Sequence, residues 1–201
     1  VSIFKVKNTV TLNRRVNSLV GKAAMGLEYL LFKTGPLTMP PSQLGAFAKS
    51  ETTRASPNME WHVQPLSLDK FGDPLHRFDA ITPSVCNLQP TSRGHVRLKT
   101  SNPLDAPAIT LNYLSTEDDQ RVAIAGLRAT RRIMAAKALA RFEPEEWKPG
   151  PAIDTDEQLA QVAGDLGTTI FHPVGTRKMG PDELAVVDDR LSVHGISGLR
   201  V

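Results

Sequence analysis

The sequence holds a single cysteine, Cys86, in 201 residues. An internal disulfide is therefore excluded, and no cysteine pair exists to start a zinc cluster. The thiol is expected to pack as a small apolar group in a reducing, cytoplasmic setting. Aromatic residues make up only 5% of the chain, too few for the stacking platform that single-stranded nucleic acid needs. The net charge is only +3. The densest basic group, Arg128, Arg131 and Arg132, reads as a solvated helix face rather than a nucleic-acid patch. No apolar run approaches the ~20 residues of a membrane span, and the opening residues carry no signal-peptide pattern. No pair of histidines has metal-ligand spacing and no acid cluster accompanies one, so no metal site is expected. The sequence also lacks any Gly-x-Gly-x-x-Gly turn. Gly21 to Gly26 has the glycine spacing of a phosphate loop, but Leu27-Glu28 stand where Lys-Ser/Thr is required.

What is present suits a folded chain of one substantial core or two small ones, with 40% hydrophobic residues. Residues 1–10 read as extended. A helix is expected from Arg14 to Phe32, capped by Asn13 and stopped by Gly35-Pro36, with Val16, Leu19, Val20, Ala23, Leu27, Leu30 and Leu31 as its buried stripe. Residues 36–58 read mostly as loop, with a short strand at Ala46–Lys49. Met59–Gln64 alternates strictly: Met59, Trp61 and Val63 share one face, and Glu60, His62 and Gln64 the other. Further strands are expected at Phe78–Leu88, broken near Pro83, and at Gly94–Thr100 and Ala108–Leu111. A capping pair, Ser115 and Asp118, opens a helix to about Phe142 whose buried contacts are Val122, Leu127, Ile133, Met134 and Leu139. Three prolines break residues 143–154, and a last helix follows at about Asp156–Ala163, capped by Thr155 or Asp154. Neighbouring strands without intervening helices predict an α+β fold, a mostly antiparallel or mixed sheet covered on one face by helices.

The stretch Thr168–Val201 is the most informative. Ile170-Phe171 delivers His172; Pro173 follows, and Gly175 and Gly180 permit tight turns. Histidine titrates near neutral pH and so suits proton transfer. Its position alone leaves structural and catalytic roles open, the structural one ahead. The series His172-Pro173-Val174-Gly175-Thr176, Lys178-Met179-Gly180, Val187-Asp188, Val193-His194-Gly195-Ile196 and Gly198-Leu199-Arg200-Val201 resembles the C-terminal signature of the glucose–methanol–choline (GMC) flavoprotein oxidoreductases, choline dehydrogenase-like branch. The resemblance extends upstream through Pro90–Gly94, Asn112-Tyr113-Leu114, Gly45-Ala46-Phe47, Gly35-Pro36-Leu37 and Glu28-Tyr29-Leu30. Arg177 departs from it, where relatives commonly carry cysteine.

The resemblance implies a GMC substrate-binding domain over 1–165 and, over 166–201, a signature loop returning toward an FAD-binding domain that is missing here. It implies oxidation of a primary or secondary alcohol, a small-molecule substrate, by hydride transfer to FAD. His172 would take the hydroxyl proton. Glu60, His62, Gln64, Ile170 and Phe171 would line the substrate pocket, and His194 would be structural. FAD is implied for the complete enzyme but is not expected to bind this chain, which lacks the phosphate turn. The chain begins without methionine and stops inside an apolar run, so it is expected to be a fragment, inactive alone. The rival readings are a non-catalytic binding or regulatory module that kept the substrate fold, and an interaction domain unrelated to flavin.

Overall fold

The computed structural model describes residues 1–40 and 42–201; the loop expected at Pro41 lies outside them. In chain order the elements are β1 (Ile3–Lys5), α1 (Leu12–Val16), α2 (Leu19–Phe32), β2 (Leu44–Ala48), β3 (Met59–Gln64), β4 (Ala80–Asn87), β5 (His95–Arg97), β6 (Ala108–Thr110), α3 (Glu117–Met134), β7 (Glu145–Lys148) and α4 (Asp156–Leu166). They form two compact units, Val1–Ser92 with Leu114–Gly167, and Arg93–Tyr113 with Thr168–Val201. Arg93–Tyr113 thus groups with the C-terminal segment.

The first unit is built on a five-stranded sheet of order β2-β3-β4-β1-β7, antiparallel at every pairing. The alternation of β3 decides which face is covered. Met59 and Trp61 pack with Val122 and Ala129 of α3, and Val85 and Ala125 close around them. Trp61 keeps its indole N–H satisfied by donating to Thr130 Oγ1 at 2.8 Å, and Thr130 donates on to the Gly126 carbonyl at 2.8 Å. Gly126 lets the helix sit this close: a Cβ there would meet both Val85 methyls at 3.0 Å.

Several expectations shift. The helix expected over 14–32 is two helices. Asn17 Nδ2 donates to the carbonyls of Asn13, Leu75 and His76, which ties the chain down at the end of α1. Ser18 then recaps α2 by accepting from Gly21 N. Thr11, not Asn13, stands at the α1 N-cap. The stripe expected to be buried is exposed: Leu19, Val20, Leu27, Leu30 and Leu31 face outward, and Met25 is the buried residue of α2. Pro83 does not break β4, because its carbonyl accepts from Ser2 N. Its nitrogen points to that same side, where the β1 pairing ends, so the missing N–H removes at most one ladder bond. The cap of α3 is Thr116, whose hydroxyl accepts from Asp119 N; Ser115 N instead donates to Ser92 Oγ. The helix ends at Met134, and a 3-10 turn carries the chain to Phe142. Ile133 is 44% exposed, whereas Val122, Leu127 and Met134 are buried as expected.

The proline-rich stretch 143–154 contains β7, which the sequence did not suggest. Its Glu146 receives a bidentate pair of bonds from Arg131, with both side chains largely buried. Arg131 also donates to the Ile153 carbonyl at 2.7 Å, and Arg128 to Asp156 at 2.7 Å. Two of the three basic residues, Arg128 and Arg131, therefore fasten β7 and α4 to α3 rather than simply meeting solvent. The α4 cap falls at Thr155, which forms a reciprocal box with Gln158.

Asp119 fastens the turn before unit two. It is 2% exposed and accepts from Thr91 N at 2.8 Å, Ser92 N at 2.9 Å and Asn87 Nδ2 at 3.2 Å. Burial pushes this carboxyl up, but the bonds from Ser92 and Thr91 outweigh it and hold it below the usual carboxylate value. A depressed native pKa adds stability above the unfolded value of about 3.9. That stability drains as pH falls through the lower native value. Asp119→Asn is therefore expected to cost about 1–3 kcal/mol at neutral pH, and the gap from wild type to close as pH drops below about 4. Urea unfolding at the two pH values checks this; a penalty independent of pH would assign the effect to packing.

In the second unit β5 and β6 pair as a two-stranded ribbon, with Val96 opposite Ile109. The signature segment folds through isolated bridges, Met179 with Val187, Val187 with Val193 and Ser192 with Arg200. Val187 is its buried centre at 2% exposure.

Candidate active site

The two units carry different parts of the expected machinery. In the first, β3 places Trp61 toward α3 and turns Glu60, His62 and Gln64 to the opposite face, half-buried. His62 Nε2 lies 3.4 Å from Glu60 Oε1. The register of β2 sets Gly45 beside His62 and Phe47 beside Glu60, and that of β4 sets Cys86 opposite Glu60 and Ser84 opposite His62. Phe47 is 62% exposed and Cys86 half-buried. Sequence reasoning missed both, since only strand register shows that they share a face with Glu60. Burial and the Glu60 charge push the Cys86 thiol up. Glu60, His62 and Cys86 present ligand-capable atoms within 4.8 Å of one another. The sequence predicts no metal site, having no histidine pair at ligand spacing and no cysteine or acid cluster to support one.

In the second unit His172 is exposed, as are Ile170 and Phe171. The segment before His172 is irregular. Phe171 adopts a left-handed backbone, φ 64°, uncommon for a bulky side chain and of order 1–3 kcal/mol in cost. Thr169 steadies it: its Oγ1 accepts from Phe171 N at 3.0 Å and from the Tyr113 hydroxyl at 3.2 Å. Pro173 fixes φ on the other side, and Gly175 turns the chain at φ 103°. His172 is thus presented from a conformationally restricted bend, with its imidazole accessible for proton transfer.

His194 and His76 have other work. His194 places Nε2 3.0 Å from the Gly180 carbonyl, and its backbone N–H donates to the Val186 carbonyl, which binds the signature turns together. The adjoining Asp188 carboxylate caps its own turn by accepting from Arg190 N and Ser192 N; the bonds from Ser192 and Arg190 hold it below the usual carboxylate value. His76 sits between Ser67 Oγ at 3.0 Å and Asp69 Oδ2 at 3.2 Å, the composition of a hydrolytic triad. Ser67 is 0% exposed, however, and its Oγ already accepts from Asn13 Nδ2 at 2.8 Å. No substrate carbonyl can reach it, and His76 instead stacks on Phe78 at 4.8 Å. This constellation holds α1 to the sheet.

Residues 90–201 match the GMC oxidoreductase family. The chain is 37% identical over 185 residues to a Pseudomonas putida alcohol dehydrogenase [acceptor], a match covering 92% of this chain and 34% of that protein. It is 38% identical over 177 residues to an Escherichia coli oxygen-dependent choline dehydrogenase, covering 88% and 32% respectively. The chain thus spans about a third of the length of these relatives. A formate oxidase crystal structure superposes with a TM-score of 0.86 at 22% identity, over 99% of this chain and 40% of that one. Pyridoxine 4-oxidase from Mesorbium loti superposes with a TM-score of 0.72 at 22% identity, over 96% and 33%. These likenesses share the antiparallel sheet with its helices. The signature around His172 lies inside the matched region, and the chain belongs to the GMC oxidoreductase family.

Proposed function

We propose that this chain is the substrate-binding part of an FAD-dependent enzyme that oxidises a primary or secondary alcohol to a carbonyl. The observation that carries this reading is the family match over the His172 signature, beside relatives named alcohol and choline dehydrogenase. In the sheet unit Glu60, His62 and Gln64 are the substrate-facing residues; in the C-terminal segment these are Ile170, Phe171 and His172. His172 accepts the hydroxyl proton as the alcohol reacts. The developing alkoxide pushes electron density onto its carbon, and an imidazolium beside it stabilises the charge. FAD, when bound, supplies the hydride acceptor. A cytoplasmic setting suits the free thiol of Cys86.

FAD does not fit the residues of this chain by itself. A flavin dinucleotide needs backbone N–H groups at a glycine-rich helix start to hold its pyrophosphate, and the sequence has no Gly-x-Gly-x-x-Gly. The purified chain is therefore expected to be colourless, and FAD titration to give no saturable change in fluorescence. A yellow protein with stoichiometric flavin would place the cofactor site here instead. The activity itself is tested in the full-length enzyme: an alcohol should bleach the oxidised flavin spectrum without oxygen. If no primary or secondary alcohol does so, the alternative of a non-catalytic binding or regulatory module takes its place.

A further inference from the structure

We propose that Glu60, His62 and Cys86 form a binding site for a borderline divalent cation of the zinc type. The backbone brings the three donors together. Glu60 and His62 are two residues apart on β3 and so share a face, and the antiparallel register sets Cys86 directly opposite Glu60. Their donor atoms lie within 4.8 Å of one another, with His62 Nε2 and Glu60 Oε1 at 3.4 Å. A zinc ion sits about 2.0–2.3 Å from nitrogen, oxygen and sulfur donors, which needs donor separations of roughly 3.3–3.8 Å. Side-chain rotation of about 1 Å closes that gap, and rotamer freedom at half-buried positions allows it.

The donor set selects the ion. A thiolate with an imidazole and a carboxylate suits zinc, cobalt or ferrous iron, whereas magnesium and calcium prefer oxygen alone. Three protein ligands leave a fourth position for water or an oxygen ligand. The surroundings also leave room. Gly45 is the β2 neighbour of His62, and even a Cβ built there would meet nothing closer than the Trp61 carbonyl at 3.8 Å. Partial exposure, 36% for the His62 side chain and 22% for Glu60, gives an ion a way in. The bond that must be surrendered is weak: the Cys86 thiol donates to the Glu60 carbonyl at 3.6 Å. On binding, the Sγ–metal bond forms and the thiol proton leaves to solvent. The site needs only these three side chains and does not rest on the alcohol-oxidation reading.

Cobalt(II) titration of the metal-free purified protein tests it. Cys86 is the only cysteine of this chain, so in the purified chain a thiolate-to-cobalt charge-transfer band reports on this site alone. One equivalent of cobalt should raise the band, and zinc should bleach it by displacement. Cys86→Ser should remove the band, and His62→Ala or Glu60→Gln should weaken cobalt binding by an order of magnitude or more. In the unaltered protein zinc should also slow alkylation of Cys86 by iodoacetamide, which keeps the test independent of how the variants fold. Absence of the band, undiminished cobalt affinity in both His62→Ala and Glu60→Gln, or alkylation indifferent to zinc would each overturn the proposal.

Discussion

His172→Ala in the full-length enzyme is expected to slow reduction of the flavin by an alcohol about 10²–10⁴-fold, the usual worth of a positioned acid–base group. Thr169 anchors the left-handed Phe171 and Pro173 fixes the following φ, so the backbone that carries the imidazole is restrained before substrate arrives. Alanine removes the imidazole and leaves that bend intact. FAD content and thermal stability should therefore change little, because His172 is exposed and exposed substitutions usually stay within about 0.5 kcal/mol. Stopped-flow measurement of flavin bleaching gives the rate free of reoxidation. Alcohol oxidation surviving within a few-fold would remove His172 from the chemistry. A large loss accompanied by loss of flavin would make its role structural.

Trp61→Ala is expected to destabilise the first unit by about 3–5 kcal/mol, as loss of a buried large aromatic does. Trp61 is 2% exposed and lies in the cluster that seats α3 on the sheet. Its removal leaves a cavity beneath the helix and strips Thr130 of its indole donor. Trp61→Phe separates the two effects: it fills most of the space but lacks the N–H, so its cost should include only about 1 kcal/mol for the hydrogen bond. The neighbouring Glu60→Ala, on the opposite face, should leave stability nearly unchanged while shifting KM or substrate preference in the full-length enzyme. Urea unfolding of the three variants, compared at equal m-value, measures this. Equal destabilisation by Glu60→Ala and Trp61→Ala would mean that the two faces of β3 are not energetically distinct.

Much of the fold was legible because it is written in local periodicity. The two-residue repeat of Met59–Gln64 assigned the faces of β3, and Thr155 or Asp154 announced the start of α4, since an N-cap is a local signal. The His172 bend was legible as a motif. Other features depend on partners distant in the chain. The Pro-rich stretch conceals β7, whose strand character comes from pairing with β1 and from the grip of Arg131 on Glu146. The apolar stripe of α2 suggested burial, but the sequence pattern says only that a face is apolar. What covers it is a matter of tertiary structure, and in this chain it stays exposed.

By itself, then, the sequence determined the elements whose signals repeat within a turn or along a strand, and the signature carrying His172. Only the tertiary structure decided that Cys86 stands against Glu60 and His62, that Ser67 is shut away from any substrate, and that Arg93–Tyr113 groups with the C-terminal segment. The physical reason is register. Side-chain direction follows from local backbone geometry, but which side chains meet across strands depends on how distant segments align, and a shift of one residue would reverse every face.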